Sequence, residues 1–216
     1  MTRRKSGHSR SRSSNPSKTH QKKPGAAPAP STLRVIGGEW RSRKLAFFPA
    51  EGLRPTLDRV RETAFNWLAP VMEGADCLDL FAGSGALTFE ALSRGAASVH
   101  INELNPQVKG TLQSQLDLLK CDPARYTLTG FNGSAPGVSD ITGSFDIIFL
   151  DPPFRKDLME SCCQALNALD IFKPNCTIYM ESELPLEQLA LPTNWEVIKQ
   201  KKAGQTHYGL IKKEAF

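Results

Sequence analysis

A glycine-rich turn is the first segment of the chain whose residues could do chemistry. It reads DLFAGSG from Asp79 to Gly85 and follows an apolar run. Gly83 and Gly85 allow the backbone to turn sharply and to come close to a ligand. A dinucleotide site would have a third glycine where this chain has Thr88. The turn therefore predicts a nucleoside with a sulfonium linkage in place of a pyrophosphate, and an ordinary strand-to-helix turn is the alternative.

A carboxylate stands where a bound ribose would need one. Glu103 lies 18 residues after Gly85, at the end of the next predicted strand. In nucleoside-binding α/β proteins an acid at this place accepts hydrogen bonds from the ribose hydroxyls. By itself Glu103 would more often be a solvated acid, but its pairing with the glycine turn favours a ribose ligand.

A second motif, DPPF, runs from Asp151 to Phe154 and follows the apolar segment FDIIFL. Pro152 and Pro153 hold the backbone extended and lack N–H groups, so the Asp151 carboxylate and the Pro152 carbonyl remain as acceptors. Phe154 adds an aromatic face. Acceptors beside a stacking ring suit a planar base that bears an exocyclic amine. The alternative is a rigid turn after a core strand.

The elements that would position both motifs alternate between strand and helix. The pattern predicts strands at 77–81, 98–103, 126–131, 145–150 and 176–181, and helices at 57–68, at 86–94, from Asn105 onward and around 158–169. Residues 195–200 and 206–212 predict an antiparallel hairpin at a sheet edge, and residues 33–52 predict short strands around Gly37-Gly38. The predicted fold is an α/β doubly wound, mostly parallel sheet with an antiparallel edge hairpin and a small N-terminal strand and helix extension.

The basic charge of the chain is concentrated at its N-terminus. Residues 1–32 contain eight basic side chains and no acid, and they lack Leu, Ile, Val, Phe, Tyr and Trp. Such a segment predicts a disordered basic tail, because it cannot offset its ordering entropy by burial. A phosphate-binding arm and a solubilising tail are equally open interpretations. Residues 33–216, the predicted domain, carry 19 basic and 22 acidic side chains, so a nucleic-acid surface there would have to be local.

Composition excludes several classes of protein. Apolar residues make up 40% of the chain, yet no run of about 18 of them occurs, which excludes a membrane-spanning helix. The five cysteines are odd in number and lack CxxC spacing, and the four histidines are scattered. We therefore expect a reducing compartment, the cytoplasm, with neither a disulfide framework nor a metal site.

The order DLFAGSG, Glu103, DPPF resembles the S-adenosylmethionine-dependent methyltransferases with a Rossmann-like fold that modify exocyclic amines of bases. Further segments are similar to the bacterial 16S rRNA (guanine(966)-N(2))-methyltransferase family. They are RVIGGEWRSRKL (34–45), GLRPTLDRVRETAFNWL (52–68), CLDLFAGSGALTFEALSRGA (77–96), FLDPPF (149–154) and AGQTHYGL (203–210). The resemblance covers about residues 33–216, and the segment RPTLDRVRETAFNWL is its most specific element. The long basic N-terminal extension departs from the compact family pattern.

The resemblance implies a site and a reaction. Asp79, Gly83, Ser84 and Gly85 would form the cofactor loop, Glu103 would bind the ribose, and Asn132 would contact the adenine. Asp151, Pro152, Pro153 and Phe154 would be catalytic. The cofactor would be S-adenosyl-L-methionine, and the substrate a guanine N2 amine of 16S ribosomal RNA within a small subunit or an assembly intermediate. An adenine-N6 methyltransferase of RNA or DNA and a non-catalytic RNA-binding assembly factor are the alternatives.

A basic cluster precedes the glycine turn and is the candidate RNA-phosphate surface. Arg41, Arg43 and Lys44 are its strongest members, because no acid separates them and Trp40 is adjacent for stacking. Arg54 and Arg59 extend the cluster toward the predicted helix. The alternative is a solvated charged face with local salt bridges.

Overall fold

The structure is a computed structural model, which describes residues 1–2, 31–47, 58–133, 141–153 and 158–214. The described strands are β1 (Ser31–Arg34), β2 (Lys44–Phe47), β3 (Asp76–Asp79), β4 (Ser98–Asn102), β5 (Tyr126–Thr129), β6 (Phe145–Leu150), β7 (Phe172–Ser182), β8 (Trp195–Ala203) and β9 (Thr206–Lys213). The described α-helices are α1 (Asp58–Met72), α2 (Ala86–Ser93), α3 (Pro106–Leu118) and α4 (Leu158–Asn167).

The main sheet has the strand order β5-β4-β3-β6-β7-β9-β8. Its first five strands run parallel, and β9 pairs antiparallel with both β7 and β8. This confirms the predicted doubly wound sheet with an antiparallel edge hairpin. The chain winds outward from β3 to β5 and then returns to β6 on the other side of β3. The order therefore reverses between β3 and β6, which is where such sheets bind ligands beyond the carboxyl ends of their strands.

Local sequence explains where the described helices begin and end. The Asn105 side chain accepts a hydrogen bond from the Gln107 N–H at 2.9 Å, and Pro106 occupies the first turn of α3, so the helix begins where the sequence predicts it. Gly95, just beyond α2, has a φ of +96°, which only glycine adopts readily. Helix α1 continues four residues beyond its predicted end at Leu68, because its last turn brings Met72 into the core.

Apolar side chains cover both faces of the sheet. The core under α1, α2 and α3 contains Phe65, Leu92 and Phe149, whereas the core under α4 contains Leu166 and Ile178. Strand β6 contributes to both cores, as expected for a central strand that reads as a continuous apolar run. The five cysteines are free and buried, so they pack as small apolar side chains.

Strands β1 and β2 form a separate antiparallel hairpin that packs against α2. The buried Glu90 carboxylate accepts hydrogen bonds from the Ile36 and Gly37 N–H groups, both at 2.8 Å. Strand β1 begins at Ser31, so Ser31 and Thr32 belong to the hairpin and not to the predicted tail. The reason is the pairing of this strand with β2, which buries Leu33. Residues 3–30 of the predicted tail lie outside the described residues.

An ion cluster joins the starts of three strands at the edge opposite the predicted ligand site. The Lys173 Nζ lies 2.5 Å from Asp76 Oδ2 and 2.8 Å from Asp146 Oδ2. Its hydrogen bonds raise the Lys173 pKa and lower that of Asp76. This edge of the sheet therefore uses its charged groups for structure. None of the described helices is long and apolar enough to cross a membrane.

Candidate active site at the carboxyl edge of the sheet

The glycine turn after β3 requires glycine at two places. Gly83 and Gly85 have φ values of +52° and +78°, in the left-handed region that disfavours other residues. A Cβ on Gly85 would also lie 2.3 Å from Phe89 Cε2 and 2.7 Å from Leu112 Cδ2. The turn can therefore approach helices α2 and α3 as closely as it does only because Gly85 lacks a side chain.

The Glu103 carboxylate is held at the mouth of this turn. Its Oε2 accepts a hydrogen bond from the Gly83 N–H at 2.9 Å, and its Oε1 accepts one from the Asn105 N–H at 2.7 Å. A carboxylate oxygen has two lone-pair sites, so each oxygen can still accept a further bond. Glu103 is half-buried and thus joins the ends of β3 and β4 while it keeps acceptor capacity for a ligand diol.

Asp79 lies beneath the turn. Its side chain is only 1% exposed, and its Oδ2 accepts a hydrogen bond from Thr88 Oγ1 at 2.6 Å. Burial raises the pKa of Asp79 to about 6, although the Thr88 hydrogen bond opposes this shift. Asp79 therefore supports the turn through Thr88, and its burial leaves almost no surface for contact with a ligand. Thr88, which sequence reasoning treated only as a missing glycine, is the partner of this acid.

A residue that sequence reasoning missed organises the ends of three strands. Asn102 is buried, and its Nδ2 donates to the carbonyls of Leu80 and Phe131, both at 3.0 Å. Its Oδ1 accepts from the Phe131 N–H at 3.0 Å. The signal available in the sequence was a lone amide at the end of the apolar strand SVHIN. Asn132 follows this anchored residue, so it is exposed at the same edge of the sheet.

The second motif begins where β6 ends. Leu150 pairs with Met180 and Phe149 pairs with Asp79, so Asp151 lies two positions beyond Asp79 on the neighbouring strand. Strand geometry places the two Cα atoms about 8 Å apart. Asp151 and Pro153 are half-buried and Pro152 is buried. Phe154 lies outside the described residues, so the structure brings together the glycine turn, Glu103 and the first three residues of DPPF.

A buried acid next to Asp151 was also missed. Glu181 is 4% exposed, and its Oε1 accepts a hydrogen bond from the Tyr179 hydroxyl at 2.8 Å. Burial raises the pKa of Tyr179, and the charges of Glu181 and Asp151 raise it further. Two carboxylates therefore lie near one phenol at the ends of adjacent strands. Only the fold shows this, because in the sequence Glu181 is one of several acids close to the end of β7.

The predicted basic residues are divided between two places. Arg41, Arg43 and Lys44 are exposed on the hairpin, whose turn packs against the carboxyl end of α2. The glycine turn is at the other end of that helix, about 12 Å away along its axis. Arg59 is exposed in the first turn of α1, and Arg54 lies outside the described residues. The structure does not bring Arg41 and Arg43 to the edge that holds Asp151.

One detail of the predicted RNA surface is wrong. Trp40 is 6% exposed and belongs to the core, and its backbone N–H donates to Ser93 Oγ at 2.8 Å. Its ring therefore cannot stack on a base beside Arg41, because it packs under the hairpin. Among the residues that the structure describes, no group of three or more His, Cys, Asp or Glu side chains could hold a metal ion.

Comparison with known proteins gives consistent matches. The model of the family described as conserved hypothetical protein 95 matches residues 33–212. The Escherichia coli K12 protein named ribosomal RNA small subunit methyltransferase D is 45% identical over 184 residues, which cover 85% of this chain and 91% of the relative. The Haemophilus influenzae protein of the same name is 43% identical over 180 residues, covering 82% of this chain and 92% of the relative.

The fold is similar as well. A solved structure from Escherichia coli, named as a methyltransferase, superposes with a TM-score of 0.75 at 42% identity. The match covers 86% of this chain and the whole of that one. The range matched by the family model, residues 33–212, spans the glycine turn, Glu103 and the DPPF motif.

Proposed function

The chain belongs to the family of the ribosomal RNA small subunit methyltransferases D, whose family model is described as conserved hypothetical protein 95. We propose that it methylates a guanine N2 amine of 16S ribosomal RNA. The position corresponding to guanine 966 is the target that the family resemblance implies. The enzyme is a methyltransferase that uses S-adenosyl-L-methionine, and it acts in the cytoplasm on a small subunit or an assembly intermediate.

The observation that carries the proposal is the meeting of two motifs at the reversal of strand order. The residues at the end of β3 fit the nucleoside part of S-adenosyl-L-methionine, because Gly83 and Gly85 leave the turn open and Glu103 keeps lone pairs for a ribose diol. Asn132 at the end of β5 is exposed beside them for an adenine contact. Asp151 begins the loop on the neighbouring strand, about 8 Å from Asp79 between Cα atoms.

The bound cofactor would supply a methyl group activated by a positively charged sulfur. The chain's own residues then have to present the amine. The guanine N2 lone pair is delocalised into the ring, so acceptors on its hydrogens shift electron density toward nitrogen. Asp151 and the Pro152 carbonyl are the proposed acceptors, and the carboxylate stabilises the positive charge that develops on nitrogen. In this proposal Asp151 also takes the proton that the methylated amine then releases.

Two further residues of the motif have positioning roles in this proposal. Pro153 restricts the backbone on which the acceptors stand. Phe154 stacks on the extruded base, as the family resemblance implies, and holds nitrogen in line with the methyl carbon. Tyr179, which donates to Glu181, lies close enough to Asp151 for the Asp151 charge to raise the pKa of its hydroxyl.

The direct test uses small subunits that lack the modification. They are incubated with the protein and methyl-labelled S-adenosyl-L-methionine, and the rRNA nucleosides are separated. We expect labelled N2-methylguanosine at one position. Labelled N6-methyladenosine would favour the adenine alternative, and the absence of any labelled nucleoside would favour a non-catalytic assembly factor.

The assignment of Asp151 has its own test. Asp151→Ala should reduce single-turnover rate about 10²–10³-fold, the scale for loss of one charge-stabilising group. Its cofactor affinity and melting temperature should stay near those of the native protein, because the carboxylate acts on the amine. A variant that is stable, binds cofactor and turns over normally would remove Asp151 from the mechanism. Loss of stability and cofactor affinity together would instead indicate a structural loop.

A further inference from the structure

An aromatic pair and two lysines form a continuous surface between helix α1 and the edge hairpin. The Trp67 ring stacks on the Tyr208 ring with centroids 5.6 Å apart. The Nζ atoms of Lys199 and Lys201 lie 6.0 Å and 5.7 Å from the centre of the Trp67 ring. We call these four residues the Trp67 surface. It contains none of the residues that were predicted from the sequence to bind RNA.

The two lysines are held in place but not neutralised. Both are exposed on the edge strand β8, and their attraction to the Trp67 ring limits where the ammonium groups can go. Neither takes part in the ion pairs found within the described residues. Two cations on one face, about 7 Å apart along the strand, can meet successive phosphates of one nucleic-acid chain.

The register of the sheet connects this surface to the catalytic loop. Lys201 pairs with Tyr208, and Tyr208 pairs with Glu181 on β7. On the next strand Leu150 pairs with Met180, so the following residue, Asp151, lies beside Glu181. Lys201 is thus three strands from Asp151, about 14 Å between Cα atoms. A nucleotide flipped toward Asp151 leaves its neighbours within reach of this surface.

Helix α1 extends the same surface toward the carboxyl edge of the sheet. Arg59, Thr63 and Trp67 are spaced by four residues and therefore share one side of the helix. Arg59 is exposed in the first turn, and Thr63 donates its hydroxyl to the Arg59 carbonyl at 2.9 Å. The hairpin residues Arg41 and Arg43, in contrast, are at the far end of α2.

We propose that the Trp67 surface binds the RNA backbone that flanks the target nucleotide, with Lys199 and Lys201 as its phosphate ligands. This inference rests on the proposed RNA substrate. Trp67 holds the two ammonium groups in position, and Tyr208 supports the Trp67 ring from beneath. The contacts are to phosphate, so they add affinity and orientation and leave the choice of base to the loop around Asp151.

The experiment measures binding of a 16S rRNA transcript to the full-length protein at several salt concentrations. The double variant K199Q/K201Q should reduce the slope of log affinity against log salt by about 1.4–1.8, which corresponds to two lost phosphate contacts. Its KM for RNA should rise while kcat and the affinity for S-adenosyl-L-methionine stay unchanged. The control is K202Q, because Lys202 is exposed on the same strand but pairs with His207 and faces the other side of the sheet.

Each result bears on the inference. An unchanged slope in a folded K199Q/K201Q protein overturns it. A slope loss in K202Q that is half that of the double variant, or larger, overturns it too, because the number of charges removed and not this face would then govern binding. A reduced slope together with no methylation by the native protein supports the surface but rejects the proposed function. Normal methylation with an unchanged slope rejects only the surface.

Discussion

The carboxyl group of Asp79 is buried under the turn that would hold the cofactor, and the Thr88 hydroxyl donates a hydrogen bond to it at 2.6 Å. Burial favours the neutral acid, so the pKa rises to about 6. At neutral pH the charge is therefore kept at a cost in stability. An acid with a raised pKa binds more protons in the folded than in the unfolded state, so stability falls as pH rises from about 4 to about 6.

Asp79→Asn should remove this pH dependence, since the amide has the same shape and does not ionise. The difference in free energy of unfolding, variant minus native protein, should therefore increase by roughly 2–3 kcal/mol from pH 4 to pH 7. Urea unfolding of both proteins at several pH values measures the difference. Parallel pH curves would show that Asp79 is not the titrating group.

Glu103 accepts hydrogen bonds from two backbone N–H groups and is proposed to bind the ribose, and one substitution tests whether these roles need its charge. Glu103→Gln keeps the shape but leaves one oxygen to serve the Gly83 and Asn105 N–H groups and a ribose. We expect the affinity for S-adenosyl-L-methionine to fall by about 1.5–3 kcal/mol, the scale of hydrogen bonds to a charged acceptor. Calorimetry measures this, with the exposed Glu62→Gln as control. Binding of NAD without binding of S-adenosyl-L-methionine would contradict the assigned cofactor.

At the scale of elements, the turn between β3 and α2 depends on a glycine for two separable reasons. Gly85 has a φ of +78°, and a Cβ there would overlap Phe89 and Leu112. Gly74, between α1 and β3, has a φ of +72°, but a Cβ there would meet no atom within 4 Å. The two positions therefore share the backbone strain and differ in the space available.

Gly74→Ala should cost about 1–2 kcal/mol of unfolding free energy, the penalty of a left-handed backbone alone. Gly85→Ala should cost about 1–3 kcal/mol more, because the added carbon also overpacks the site. Only Gly85→Ala should lose cofactor affinity. Denaturant unfolding and calorimetry on both variants give the comparison, and equal losses of stability would mean that the turn moves aside without difficulty.

The order of elements could be predicted because strand and helix periods and the Asn105-Pro106 cap are local signals. The full length of β7 could not. It begins at Phe172, four residues before its predicted start, because Phe172 pairs with Phe145, a contact that only the folded chain makes. The bonds of Thr88 to Asp79 and of Asn102 to Phe131 likewise join distant parts of the sequence. Trp40 was misread because sequence proximity to arginines says nothing about burial.

At the scale of the whole molecule, the basic N-terminal segment should contribute only salt-sensitive affinity for RNA. It carries eight cations among small polar residues, which can neutralise phosphates but offer little to read bases. A chain that lacks residues 1–28 keeps β1 intact. It should retain methylation activity at low salt and show a shallower salt dependence of RNA binding. A folded but inactive protein at low salt would show that the segment has a further role.

The buried cysteines make the two faces of the sheet chemically distinguishable. Cys77 packs on the face of α1 to α3, whereas Cys162, Cys163 and Cys176 pack on the face of α4. Burial raises the pKa of these thiols, to about 12 for Cys162 and Cys176, so alkylating reagents find almost no thiolate in the folded protein. Alkylation must wait for local opening. Mass spectrometry of timed iodoacetamide reactions would therefore report how fast each face of the sheet opens locally, with the native cysteines as the only probes.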